Sequence, residues 1–168
     1  GSPVERSSSA RERSGLPGRA VMAAPPLVEE LREIKDEREL GAMREAARLG
    51  GEALERLLPV LREGVTERQV ALELELAMRR LGADGLAFES IVAFGEQAAE
   101  PHHHPGDRPL AAGDWVKLDF GARVDGYCAD MTRTLVVGRA SQRQRDLYEL
   151  VRGAQAAGLA CLAAGVPA

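Results

Sequence analysis

The chain has 168 residues, 45% of them hydrophobic, which is enough for one domain with a packed core. Its formal charge of −4, with charges of both signs intermixed, excludes a basic nucleic-acid-binding face, and no apolar run is long enough to cross a bilayer. Aromatic residues are only 4%, so the core must come mainly from Leu, Val and Ala.

The start lacks the basic-then-apolar pattern of a signal peptide. Cys128 and Cys161 form no CxxC or other recognisable framework. A cytoplasmic, reducing setting is the expectation.

Residues 1–26 are rich in Ser, Arg, Gly, Pro and Ala without any period, and read as a disordered tail or a remnant of something preceding. From 27 to about 62 the text is helical. Leu27, Leu31 and Ile34 recur at helical spacing, as do Leu40, Met43 and Ala47, then Leu54, Leu57 and Leu58. Gly50-Gly51 is a point of expected break or kink, and Gly64 is a stop. Thr66 opens a second helix, with Gln69 completing a capping box. That helix runs through Leu72, Leu76 and Met78 and closes at Gly82.

The period then changes to two. Residues 87–94 read as a strand, followed by a polar loop with Pro101, His102, His103, His104, Pro105 and Gly106. Gly113-Asp114 is a turn. Residues 115–123 and 127–137 are two strands around Asp125-Gly126, the favoured pair for a two-residue type I′ hairpin loop. That loop fixes a register in which Val124 pairs with Tyr127, Asp119 lies opposite Thr132, and Gly121 lies opposite Asp130. Ser141 caps a last helix through Leu147, Leu150, Val151, Ala154 and Cys161, which stops near Gly165.

Alternation divides the hairpin into two faces. Val116, Leu118, Phe120, Ala122, Met131, Leu135 and Val137 form a face for helices to cover. Lys117, Asp119, Gly121, Cys128, Asp130, Thr132 and Thr134 form a polar face. Asp119 and Asp130 lie diagonally on it, within reach of one another. Like charges this close raise a pKa unless a cation intervenes, and hard divalent ions with oxygen ligands are the natural answer. From the hairpin alone, two solvated aspartates on an open sheet face are an equal alternative.

The motifs narrow this. Asp-Phe-Gly-Ala-Arg (119–123) and Asp-Gly-Tyr-Cys-Ala-Asp-Met-Thr-Arg-Thr (125–134) closely resemble the signature of the Xaa-Pro aminopeptidase and prolidase family. Phe-Glu-Ser-Ile-Val-Ala (88–93), Pro-His-His-His-Pro-Gly-Asp-Arg (101–108) and the helical text from Glu29 to Ala47 resemble the same family in the same order. The resemblance implies an α+β, pita-bread (creatinase/aminopeptidase-like) fold of which only the N-terminal half is present, with the antiparallel hairpin packed on helices. Residues 27–168 would be a partial metallopeptidase catalytic domain.

Carried over residue by residue, the resemblance implies that Asp119 holds one metal ion and that Asp130 bridges two. It implies that His102 hydrogen-bonds substrate and the developing tetrahedral intermediate. The family uses two divalent ions (Mn, Co or Zn) to activate a water, and its substrate is a peptide with proline after the scissile bond. The Asp-Phe-Gly-Ala and Met-Thr-Arg-Thr wording favours the proline-specific branch over methionine aminopeptidases.

His103 and His104 match no family role and read as exposed loop histidines. Thr132 is expected either to hydrogen-bond a ligand carboxylate or to be a structural strand residue, Arg133 to be structural, and Cys128 to be a small half-buried residue.

The family completes its metal site with a His and two Glu from the second half of the domain. After Asp130 this sequence has no His, and its only acidic residues are Asp146 and Glu149. The resemblance therefore implies a fragment, a truncated product or a degenerate relative, inactive as an isolated chain. A non-catalytic pita-bread binding module and a creatinase-type hydrolase stay open as alternatives, as does a homo-oligomer.

Overall fold

The structure is a computed structural model that describes residues 25–166. The expected disorder of 1–26 falls almost wholly outside that range. The described residues divide into two units, with the boundary between Ile34 and Lys35. In the first, α1 (Leu27–Glu33) buries none of its residues.

The second unit opens with α2 (Glu37–Leu57). The long helix expected from 27 onward is interrupted by a capping box that the sequence carries as Asp36-x-x-Glu39. Asp36 Oδ1 accepts the Glu39 N–H at 2.8 Å, and the Asp36 N–H donates back to Glu39 Oε2 at 2.6 Å. Gly50-Gly51 does not break α2, contrary to expectation. A Cβ at Gly50 would lie 2.8 Å from Met131 Cε and 3.7 Å from Phe120 Cε2. The glycine lets the helix settle onto the hairpin, and that packing outweighs its helix penalty of about 1 kcal/mol. The buried stripe is Ala42, Ala46, Leu49, Ala53 and Leu57, not the stripe through Met43 and Ala47. Small residues face inward because the helix lies close to its partner.

α3 (Glu67–Arg80) has the expected cap, with Thr66 accepting from the Gln69 N–H. Its inward face is Val70, Ala71, Leu74, Ala77 and Met78, and Leu72 is 55% exposed. Half of the residues of this helix are apolar and they occupy more than one face, so of the expected Leu72, Leu76 and Met78 only Met78 is fully buried.

Strands β1 (Gly85–Leu86), β2 (Ile91–Phe94), β3 (Trp115–Phe120), β4 (Ala122–Val124), β5 (Tyr127–Cys128) and β6 (Met131–Val136) form two antiparallel sheets. Their orders are β1-β4-β5 and β2-β3-β6. The strand expected over 87–94 is shortened because the chain there passes from the first sheet to the second. Leu86 pairs with Ala122, while Ile91 pairs with Asp119.

The hairpin register holds in both sheets: Val124 faces Tyr127 and Asp119 faces Thr132. Asp125 and Gly126 have φ of 49° and 81°, as a type I′ loop requires. The ladder is interrupted at Gly121. A Cβ there would lie 1.8 Å from the Ala129 carbonyl oxygen, so only glycine permits this crossing.

Val116, Leu118, Phe120 and Ala122 are fully buried, and Met131, Leu135 and Val137 pack against them at the margin. α2 and α3 supply the other side of this core. α4 (Gln142–Ala160) begins at the expected Ser141 cap but ends before Gly165, and none of its residues is buried.

Candidate metal and catalytic site

Because burial along β3 alternates, its covered residues fix where the others sit. Val116, Leu118 and Phe120 lock one face against the helices, leaving Lys117 and Asp119 on the other. Ile91 and Thr132 flank Asp119 as its register partners. Asp119 is half-buried, and its Oδ1 is shielded from solvent without any hydrogen-bond partner.

Burial raises the Asp119 pKa above its ordinary value, and the negative charge of Asp130 raises it further. The Thr132 hydroxyl opposite and the Lys117 ammonium pull the other way. Thus the structure brings Asp119 and Asp130 together across the interruption at Gly121. Asp130 itself is exposed.

A repelling carboxylate pair with an orphaned, shielded oxygen fits a hard divalent cation. Among the described residues no third Asp, Glu, His or Cys joins them in a metal-holding group. Thr132 is exposed, and the exposed Arg133 guanidinium turns back to the Thr132 carbonyl at 2.9 Å. Cys128 is exposed and free rather than half-buried.

His102 is exposed on the loop after β2. No hydrogen bond or ion pair among the described residues joins it to either aspartate. The loop is nevertheless tied to the polar face, because the Lys117 ammonium donates to the Glu100 carbonyl just before it. His104 is exposed, with a loose 3.9 Å approach to Glu89.

His103 corrects the expectation. Its side chain is only 9% exposed, and its Nε2 lies 2.8 Å from Oε2 of the fully buried Glu67. Sequence reading missed this pair because the partners are 36 positions apart and lie on different elements. The one available signal was Glu67 itself, a carboxylate in the first turn of a capped helix.

On the same polar face, β3 and β6 line an open cleft of about 880 Å³. Its floor includes Trp115, Lys117, Thr132 and Thr134, and α4 contributes Leu147, Tyr148 and Val151.

A paired-carboxylate hairpin held on helices is an arrangement suited to a hard divalent ion. The sequence model of metallopeptidase family M24 matches residues 41–168, and the chain belongs to that family. It is 42% identical over 139 residues to the uncharacterized peptidase YqhT of Bacillus subtilis, covering 83% of this chain and 39% of that protein. The structure of a Xaa-Pro dipeptidase from Bacillus anthracis is similar, with a TM-score of 0.82 at 41% identity, covering 85% of this chain and 40% of that one.

A recombinant prolidase from Thermococcus sibiricus gives a TM-score of 0.81 at 41% identity, over 84% of this chain and 39% of that one. The fold is therefore the α+β pita-bread fold of this family. The chain spans about 40% of the length of these relatives. No helix among the described residues is long and apolar enough to cross a membrane.

Proposed function

We propose that this chain is part of a dinuclear metallopeptidase that cleaves peptides next to proline, with Asp119 and Asp130 as metal ligands and His102 as the group that meets the substrate. The observation that carries the reading is the convergence of two carboxylates, one with an unpartnered shielded oxygen, on the open face of an M24-family hairpin. The proline preference rests on the sequence motifs and on the similar structures named Xaa-Pro dipeptidase and prolidase.

Bound divalent ions (Mn, Co or Zn) would supply Lewis acidity and an activated water nucleophile. Asp119 and Asp130 hold the charge in place. His102 donates a hydrogen bond to the carbonyl oxygen as negative charge develops there. The peptide lies along the open polar face, and a cytoplasmic setting and a homo-oligomer complete the reading.

A second reading is a non-catalytic binding module of the same fold; among the described residues the carboxylate pair has no third ligand. Two carboxylates leave most of the coordination sphere of two ions to water. The chain by itself is therefore expected to bind a single divalent ion weakly, with a dissociation constant on the order of 10⁻⁴ to 10⁻³ M. It is expected to turn over Xaa-Pro peptides at no useful rate.

The test is calorimetric titration with manganese and cobalt plus a peptidase assay, on the chain and on its Asp119→Asn and Asp130→Asn variants. Loss of the weak ion binding in both variants supports the ligand assignment. Binding unchanged in both overturns it. Robust turnover abolished by either variant overturns the expected inactivity and makes this chain the enzyme.

A further inference from the structure

The loop between β2 and β3 holds an ionic cluster that the proposed reaction does not use. Glu67, the first residue of α3, is fully buried. Its Oε1 accepts the Phe94 N–H at 2.8 Å. Its Oε2 accepts the Gly106 N–H at 2.9 Å and faces His103 Nε2 at 2.8 Å. One carboxylate thus ties the end of β2 and two points of the following loop to the start of α3. The other ring nitrogen of His103, Nδ1, lies 3.0 Å from Glu100 Oε2.

A neutral imidazole has one N–H and one lone pair. Set between two carboxylates, it would aim that lone pair at an anion. Only the imidazolium donates on both sides, and only it compensates the buried Glu67 charge. The other charged groups around the loop are engaged elsewhere. Lys117, from β3, donates to the Glu100 carbonyl, and Arg108 donates to the Phe94 carbonyl while approaching Asp114 at 3.3 Å. Arg68 of α3 pairs with Asp107 at 3.0 Å. His102 and His104 on either side, and Glu89 and Glu96, are exposed.

We propose that His103 is a positioning residue for His102: as an imidazolium clasped between Glu67 and Glu100 it pins the loop over residues 95–106 to α3, and it releases that loop when it becomes neutral. The role of His102 rests on the function proposed above, whereas the clasp rests on these contacts alone. Burial opposes charge on His103, but hydrogen bonds and charge from Glu67 and Glu100 outweigh it and hold its pKa above the ordinary 6.5. A histidine with a raised folded pKa stabilises fully below its unfolded value and loses that contribution as pH rises through the folded value. The clasp is therefore closed in mild acid and opens on the alkaline side of 6.5.

The test uses the whole chain without metal or peptide, so that failure of the metal reading cannot be mistaken for failure of the clasp. Nuclear magnetic resonance follows the imidazole titrations of all three histidines, and hydrogen exchange follows the protection of the Gly106 amide. His103 is expected to titrate above the ordinary 6.5. The His102 signals should shift where His103 titrates, and Gly106 protection should fall across the same range. Glu100→Gln changes a side chain that is 62% exposed, so folding should survive. It should lower the His103 midpoint by about one unit, a tenfold change in its proton affinity. His103→Gln should remove the pH dependence of Gly106 protection. A His103 midpoint at or below 6.5 overturns the clasp, as does Gly106 protection unmoved by the titration. An unaltered His102 signal overturns the positioning role.

Discussion

α3 and α4 both start at a capping box, Thr66 with Gln69 and Ser141 with Gln144, and both carry apolar residues at helical spacing. α3 buries Val70, Leu74 and Met78 completely, whereas α4 buries nothing and leaves Leu150 and Leu159 about 70% and 68% exposed. The two helices lie by opposite faces of the central sheet. α3 meets the apolar side of β3, and α4 borders the cleft on the polar side that carries Lys117 and Thr132. Local signals therefore decide that a helix forms, but the surface opposite it decides whether the helix contributes to the core.

The sharpest way to break the comparison is to truncate one leucine in each helix. Leu74→Ala should destabilise the chain by about 3 kcal/mol, because it empties a fully buried site. Leu150→Ala should change stability by less than about 0.5 kcal/mol, as for an exposed surface position. Urea unfolding measures both. Equal losses would mean that α4 is packed in solution.

Next in size are the caps. Thr66→Ala should cost about 1 kcal/mol of global stability, since α3 unfolds with the core. Ser141→Ala removes an equivalent cap, but its effect should be a loss of helical circular dichroism with the unfolding midpoint unchanged. A shift of the midpoint would join α4 to the cooperative unit.

The smallest effect sharpens the difference between the two faces of β3. Burial and Asp130 raise the Asp119 pKa, so the folded chain binds that proton more tightly than the unfolded chain. Metal-free stability should then fall as pH rises from the ordinary 3.8 through the raised folded value. Asp119→Asn should flatten that slope and leave the metal-free protein slightly more stable at neutral pH. An unchanged slope in thermal melts across the acid range would mean that Asp119 is solvated like an ordinary surface carboxylate.

Much of the site-bearing region was legible in the sequence because its determinants are local. Asp125-Gly126 sets the loop type, the loop sets the register, and strict alternation then assigns Asp119 and Phe120 to opposite faces. The helix stripes were less legible. In α2 and α3 apolar residues occupy several faces; in α2 the inward one includes Gly50, which packs closely on Met131 and Phe120, a contact to which no periodicity refers. The Asp36 cap is written in the sequence, but the apolar spacing on both sides of it mimics one continuous helix.

The sequence by itself determined the hairpin, its register, the caps at Thr66 and Ser141, and the placement of two aspartates on one polar face, since each follows from residues that are neighbours along the chain or across one turn. Only the tertiary structure decided that Gly121 must let the Ala129 carbonyl pass, that Asp119 has an oxygen without a partner, and that His103 is an internal ionic link rather than a loop ornament. Those outcomes depend on burial and on partners far away in sequence. Desolvation, which raises the Asp119 pKa and makes the Glu67–His103 contact strong, exists only once the elements have packed.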